Sequence, residues 1–166
     1  MAQIKKWLAD ISPDDFSDRY LGRLILLPDM DDDSMAFVEK NFSSGKWDVY
    51  VNLRSLAEGK KEMIFTLIHE FAHILTLNEK QIDEEASPSS CETFWIEEGC
   101  ARAGGYLAGF YDRFWREEGE DFSPEPSPDE TLARYEERPE SYVTEYAAAN
   151  PVEDLAESFA AFIFRQ

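Results

Sequence analysis

The stretch Met63-Ile64-Phe65-Thr66-Leu67-Ile68-His69-Glu70-Phe71-Ala72-His73-Ile74-Leu75 decides how this chain is read. It holds both histidines of the protein, four residues apart, with a glutamate directly after the first. The run predicts a helix over about 60–77. Residues four apart on a helix lie on one face, one turn apart. Two imidazoles in this HExxH pattern therefore reach one metal ion, and Glu70 projects near the same place, where it can hold a metal-bound water. The helix is apolar almost all round, which predicts a central place in a core. Its polar exceptions, Glu62, Thr66, His69, His73 and Thr76, fall within about a third of the circumference at roughly 100° per residue. The competing reading is a buried helix whose histidines each find a hydrogen-bond partner. A polar stripe on a buried helix needs a polar cavity to face, and a metal site supplies one.

Composition narrows the class. With 166 residues the length fits one domain, here taken as 1–166, with a real core. Twelve Phe, seven Tyr and four Trp argue against disorder. Acidic residues outnumber basic ones 35 to 16, so the field disfavours nucleic acid and anionic membranes. The same excess suits cationic peptides, although most such charge is solvated surface. No apolar stretch is long enough to span a bilayer, which argues against stable membrane insertion. The start, Met1-Ala2-Gln3-Ile4-Lys5-Lys6-Trp7-Leu8, shows no long apolar segment of the signal-peptide type. Cys91 and Cys100 fit a short disulfide loop in an oxidising compartment or two free thiols in the cytosol about equally. Oligomeric state is not legible.

Around the metal helix the chain reads as follows. A short amphipathic helix is expected near 2–10, a strand over 20–27, a turn over Met30-Asp31-Asp32-Asp33-Ser34, and a second strand over 47–53. Residues 84–90 read as a loop. A helix softened by Gly99, Gly104, Gly105 and Gly109 is expected from Phe94 to Glu117, and residues 119–130 as a proline-rich acidic loop. A final helix runs from Pro151 to Phe164, with Val152, Leu155, Ala156, Phe159, Phe162 and Ile163 as its apolar face. Strands before helices without βαβ alternation predict an α+β fold. The segment 84–140 is then a loop-rich helical insertion.

A catalytic zinc wants three protein ligands and one open position. With both histidines used, Glu153 and Glu157 on the last helix are the candidates. One could bind the metal while the other orients a histidine from behind. Asn150 as N-cap, Pro151 at the first helical position and Glu153 at the third also make an ordinary helix start, so a purely capping Glu153 competes.

HExxH followed by a glutamate on a downstream helix resembles the gluzincin arrangement of thermolysin-like metallopeptidases. Tyr146-Ala147-Ala148-Ala149-Asn150-Pro151-Val152-Glu153-Asp154-Leu155-Ala156-Glu157-Ser158-Phe159 resembles the matching stretch of the anthrax lethal factor catalytic domain. It is closer still to small bacterial zinc-binding metallopeptidases. So is the block from Cys91 to Trp115, with Glu98-Gly99-Cys100-Ala101-Arg102 and Phe114-Trp115. The resemblance covers about residues 45–164. It implies a zincin-like domain, with a small N-terminal sheet packed on the HExxH helix and a C-terminal ligand helix. It implies one zinc ion per chain held by His69, His73 and Glu153, with Glu157 as supporting acid and Tyr146 as oxyanion donor. It also implies a Cys91–Cys100 disulfide and hence a secreted or extracytoplasmic protein, although the residues alone also fit the cytosol. The gap from His73 to Glu153 is much longer than in thermolysin.

The implied chemistry is hydrolysis of peptide or protein substrates by a zinc-activated water with Glu70 as general base. Tyr142 competes with Tyr146, and the strand at 47–53 is the candidate edge for pairing an extended substrate. Two other readings compete. One is a deformylase-like amide hydrolase with Cys100 as ligand. The other is a catalytically silent zinc-binding or adhesion module on the same fold.

Overall fold

Alternation in Lys46-Trp47-Asp48-Val49-Tyr50-Val51-Asn52 builds a strand whose Trp47, Val49 and Val51 lie on one face and are buried. The computed structural model of the protein describes residues 2–30, 34–118 and 126–164. Six α-helices and two three-stranded sheets are present among them, an α+β composition. The chain divides into two compact units, Met1–Ile74 with Ile163–Gln166, and Leu75–Phe162.

The first unit opens with helices α1 (Ala2–Ile11) and α2 (Asp14–Tyr20). Strands β1 (Leu21–Leu27), β2 (Ala36–Asn41) and β3 (Lys46–Asn52) follow. The sheet order is β1-β3-β2, with β1 parallel and β2 antiparallel to β3. Two expectations change here. The strand expected at 47–53 is the third, because Ala36–Asn41 is also a strand. That strand is also central, paired on both sides, so it has no free edge to offer a substrate. Three residues of the expected turn at 30–34, residues 31–33, lie outside the described residues.

An acid organises the strand starts. Asp48 is 2% exposed, and its carboxylate accepts from Arg23 N at 2.7 Å, Arg23 Nε at 3.0 Å and Asn41 Nδ2 at 3.0 Å. Gly22 makes this approach possible. A Cβ there would sit 2.5 Å from Asp48 Oδ1 and 3.2 Å from the Trp47 carbonyl, at the irregularity in the β1–β3 register.

Helix α3 (Lys60–Leu77) carries the HExxH word and belongs to the first unit through Ile74. From Leu67 to Ile74 every residue is buried, as its all-round apolarity predicts. Phe71 meets Phe16 edge-on at 5.1 Å, and Phe65 meets Phe164 at 5.9 Å.

In the second unit, β4 (Ile82–Asp83), β5 (Trp95–Ile96) and β6 (Gly99–Ala101) form an antiparallel sheet in the order β4-β6-β5. Helices α4 (Tyr106–Phe114), α5 (Pro128–Glu137) and α6 (Pro151–Phe164) complete it. The helix expected over 94–117 is thus a hairpin followed by a nine-residue helix. Gly99 explains the difference: its φ is 133°, and a Cβ there would run into the Asp83 carbonyl. The loop expected over 119–130 ends instead in α5. Ser127 and Glu130 form a capping box with Pro128 at the first helical position, while residues 119–125 lie outside the described residues. No described helix is long and apolar enough to cross a membrane.

The Asp48 cluster yields a pH prediction. The Arg23 hydrogen bond, ahead of the opposing effect of burial, lowers the Asp48 carboxyl from 3.8 to about 2. A depressed carboxylate contributes stability above its unfolded value and loses it as pH falls toward its folded one. Asp48→Asn should therefore lower the melting temperature near neutrality, with the gap to wild type closing between about pH 4 and pH 2. Thermal melts across that range check this, and a gap independent of pH would refute it.

Candidate metal centre

Within α3 the four-residue spacing brings the two rings together. The Nε2 atoms of His69 and His73 are 2.9 Å apart, with ring planes at 80°. His69, Glu70 and His73 are 6%, 7% and 8% exposed, so three polar side chains are nearly cut off from water. Buried polar groups need partners. Without a metal, one ring can donate to the other. With zinc, two nitrogens at about 2.0–2.1 Å in tetrahedral geometry would sit roughly 3.3 Å apart. The observed spacing needs only a few tenths of an ångström to reach that.

Glu153 lies in the first turn of α6. Asn150 caps this helix, its Oδ1 accepting from Val152 N at 2.9 Å and Glu153 N at 3.0 Å. Pro151 takes the first position, where its missing N–H costs nothing. The helix dipole favours carboxylates at this end. The capping is thus done by Asn150. His69, His73 and Glu153 make a group that could hold a metal ion: each offers one ligand atom, and these atoms all lie within 4.8 Å of one another. Two imidazoles and a carboxylate are a donor set suited to zinc.

The buried face of α6 matches the expected apolar one only in part: Ala156 is buried and Val152, Leu155 and Phe159 are half-buried, but Phe162 and Ile163 are exposed. Asp154, Glu157 and Ala160 are buried with Pro151 and Ala156, whereas Phe162 is 65% exposed. Hydrogen bonding explains the burial of the two acids. Trp115 Nε1 donates to Asp154 Oδ2 at 2.8 Å, and Thr144 Oγ1 donates to Glu157 Oε2 at 2.7 Å. Thr144 Oγ1 also accepts from Ala147 N at 3.1 Å. Glu157 thereby anchors the short turn Tyr146–Ala148.

The two candidate tyrosines part company. Tyr142 is buried against Trp115, with ring centroids 5.9 Å apart, as an ordinary packed aromatic. Tyr146 is 55% exposed and lines a cleft of about 1350 Å³ in the second unit. Glu153, Asn150 and Val152 line the same cleft, as do Phe94, Trp95 and Ile96. Its described lining includes four glutamates, Glu97, Glu98, Glu145 and Glu153, and neither Lys nor Arg.

Cys91 is disulfide-bonded to Cys100, with Cα atoms 5.5 Å apart. A disulfide sulfur is not a thiolate, so Cys100 is no metal ligand in this structure. The bond fastens the β5–β6 hairpin, together with Ala101 N donating to Phe94 O at 2.8 Å and Phe94 stacked on Tyr111 at 4.2 Å. That hairpin is one wall of the cleft.

Sequence reasoning missed the Trp115–Asp154 and Thr144–Glu157 pairs. The doubled acids at 153–154 were visible, but no pattern says which indole or hydroxyl will meet them. No protein-family model, no curated protein and no solved structure matches this chain.

Removing the α6 cap should be measurable on its own. Asn150→Ala should cost about 1 kcal/mol in urea denaturation, with Asn150→Asp close to wild type. Equal losses in both variants would mean that Asn150 acts otherwise than as a cap.

Proposed function

We propose that this protein is a zinc-dependent peptidase in which His69, His73 and Glu153 hold the metal. The observation that carries this is the grouping of two buried imidazoles and a helix-capped glutamate, with Glu70 next to the first histidine on the same helix. When bound, zinc supplies Lewis acidity that polarises a carbonyl and acidifies a water. The chain's own residues do the rest. Glu70, buried on α3, accepts the proton of the attacking water and passes it to the leaving amine. Tyr146, exposed in the cleft, donates a hydrogen bond to the oxyanion as it develops. Glu157 steadies the Tyr146 turn through Thr144.

The cleft is the substrate channel of this reading. Its volume accommodates several peptide residues, and its glutamates favour substrates with Lys or Arg near the scissile bond. The Cys91–Cys100 disulfide supports a setting in an oxidising compartment rather than the reducing cytosol for this reading.

The first test is metal content by elemental analysis after zinc reconstitution. Wild type should carry one zinc per chain, and His69→Ala, His73→Ala and Glu153→Ala should lose it or bind it much more weakly. Glu157→Ala should keep the metal. Loss in Glu157→Ala alone would swap the two roles, and a wild type that takes up no zinc would end the proposal. Glu70→Gln should keep zinc and lose hydrolysis by about 10²–10⁴-fold. A zinc-loaded wild type that cleaves nothing in a broad peptide library would favour a silent binding module.

Peptide charge gives a further prediction. Cleavage of Lys/Arg-containing peptides should exceed that of Glu-substituted counterparts in kcat/KM, with the ratio shrinking as salt rises. A ratio near one at low salt would show that the cleft glutamates do not read charge.

A further inference from the structure

The 84–140 segment contains a residue that reaches the start of the ligand helix. Arg134 lies on α5 and is half-buried. Its Nη1 donates to the Ala148 carbonyl at 2.7 Å and to the Ala149 carbonyl at 2.8 Å. Its guanidinium carbon lies 5.4 Å from the Trp115 ring centroid, over the ring face. Trp115 is 1% exposed and donates to Asp154 on α6.

Those carbonyls need this partner. Ala147, Ala148 and Ala149 are 0%, 0% and 5% exposed, so their backbone groups have almost no access to water. The turn's amides are used internally, Ala148 N on Glu145 O and Ala149 N on Tyr146 O, both at 3.0 Å. A buried carbonyl left without a donor carries a full desolvation penalty. One planar, always-charged nitrogen serves both carbonyls while the rest of the fork stacks on an indole. A side chain held at both ends in this way locks the backbone it touches.

The turn so held joins two groups of the proposed chemistry. Tyr146 opens it, and Asn150, which caps the Glu153 turn, directly follows Ala149. Thr144 and Glu157 fix its near side, and Arg134 fixes its far side.

We infer that Arg134 is a positioning residue that fixes the Tyr146–Ala149 turn, and thereby aims the Tyr146 hydroxyl for transition-state stabilisation. This inference rests on the peptidase reading for its catalytic consequence but not for the brace itself. It gives the 84–140 segment a role: α5 is a buttress for the segment leading into α6.

The test uses the zinc-loaded full chain with Arg134→Met, which keeps the stem and removes the donors, and Arg134→Lys, which keeps a charge and donors. Arg134→Met should lower kcat about 10–100-fold with KM changed less than about threefold, and Arg134→Lys should recover part of the loss. In a Tyr146→Phe background Arg134→Met should cost less than about threefold, because the residue it positions is already disabled. Hydrogen exchange at the Ala147, Ala148 and Ala149 amides should speed up in Arg134→Met while α3 amides stay protected. Independent, multiplying losses in the double variant would overturn the catalytic role, as would a kcat within twofold of wild type. Unchanged exchange at 147–149 would overturn the brace. Should wild type cleave nothing, the exchange result still decides the brace, and the peptidase reading alone fails. Should Arg134→Met not fold, the kcat and exchange of Arg134→Lys decide by the same criteria.

Discussion

Two imidazole nitrogens 2.9 Å apart on a helix with almost no access to water are the constraint around which this protein is arranged. Such a pair is costly in an apolar setting unless something satisfies it. A single hydrogen bond between the rings answers part of that need. A metal ion could answer it with two bonds at once. The glutamate next to His69 is buried in the same stretch, and it too is expensive there without a task. An apolar helix lacking these three side chains would pack at less cost.

The second unit shows how a backbone segment is held still without regular structure. Residues 144–150 form no long helix or strand, yet they are tied to their surroundings at several points: Thr144 bonds Glu157, the Ala148 and Ala149 carbonyls accept from Arg134, and Asn150 caps the first amides of α6. Aromatic packing of Trp115 with Tyr142 backs the same region. Preorganisation of this kind matters wherever a donor must meet charge that exists only fleetingly.

Legibility in the sequence followed the reach of each signal. Helices α3 and α6 were readable because their cues are local: an unbroken apolar run in one, and Asn150-Pro151 at the start of the other. Strand β2 was not, because Ala36-Phe37-Val38-Glu39-Lys40-Asn41 alternates weakly and owes its form to pairing with β3. Strands β5 and β6, of two and three residues, are too short for any period to register, and Gly99 read as softening of a helix. Helix α5 was hidden by composition, although Ser127-Pro128-Asp129-Glu130 is a start signal in its own right. At the site, His69, His73 and Glu153 could be picked out by spacing and resemblance. Arg134 and Thr144 could not, since their roles consist of bonds to a carbonyl and a carboxylate brought near only by folding. The buried face of α6 was read only in part for a related reason: apolarity was taken as the guide to burial, and the hydrogen-bonded acids Asp154 and Glu157 share that face.

The disulfide-fastened hairpin has a consequence for survival. Proteolysis requires a segment that can be drawn out into an extended strand across a cleft. The stretch from Cys91 to Cys100 is cross-linked at its ends, paired at Trp95–Cys100 and Ile96–Gly99, and pinned by the Phe94–Tyr111 stack. It cannot be pulled straight without breaking a covalent bond. Cross-linking so short a loop removes chain entropy worth about 3 kcal/mol from the unfolded state, which also keeps local unfolding rare. In the proposed peptidase the wall of the cleft would be the peptide at the highest local concentration, and this cross-link would keep it from being cut.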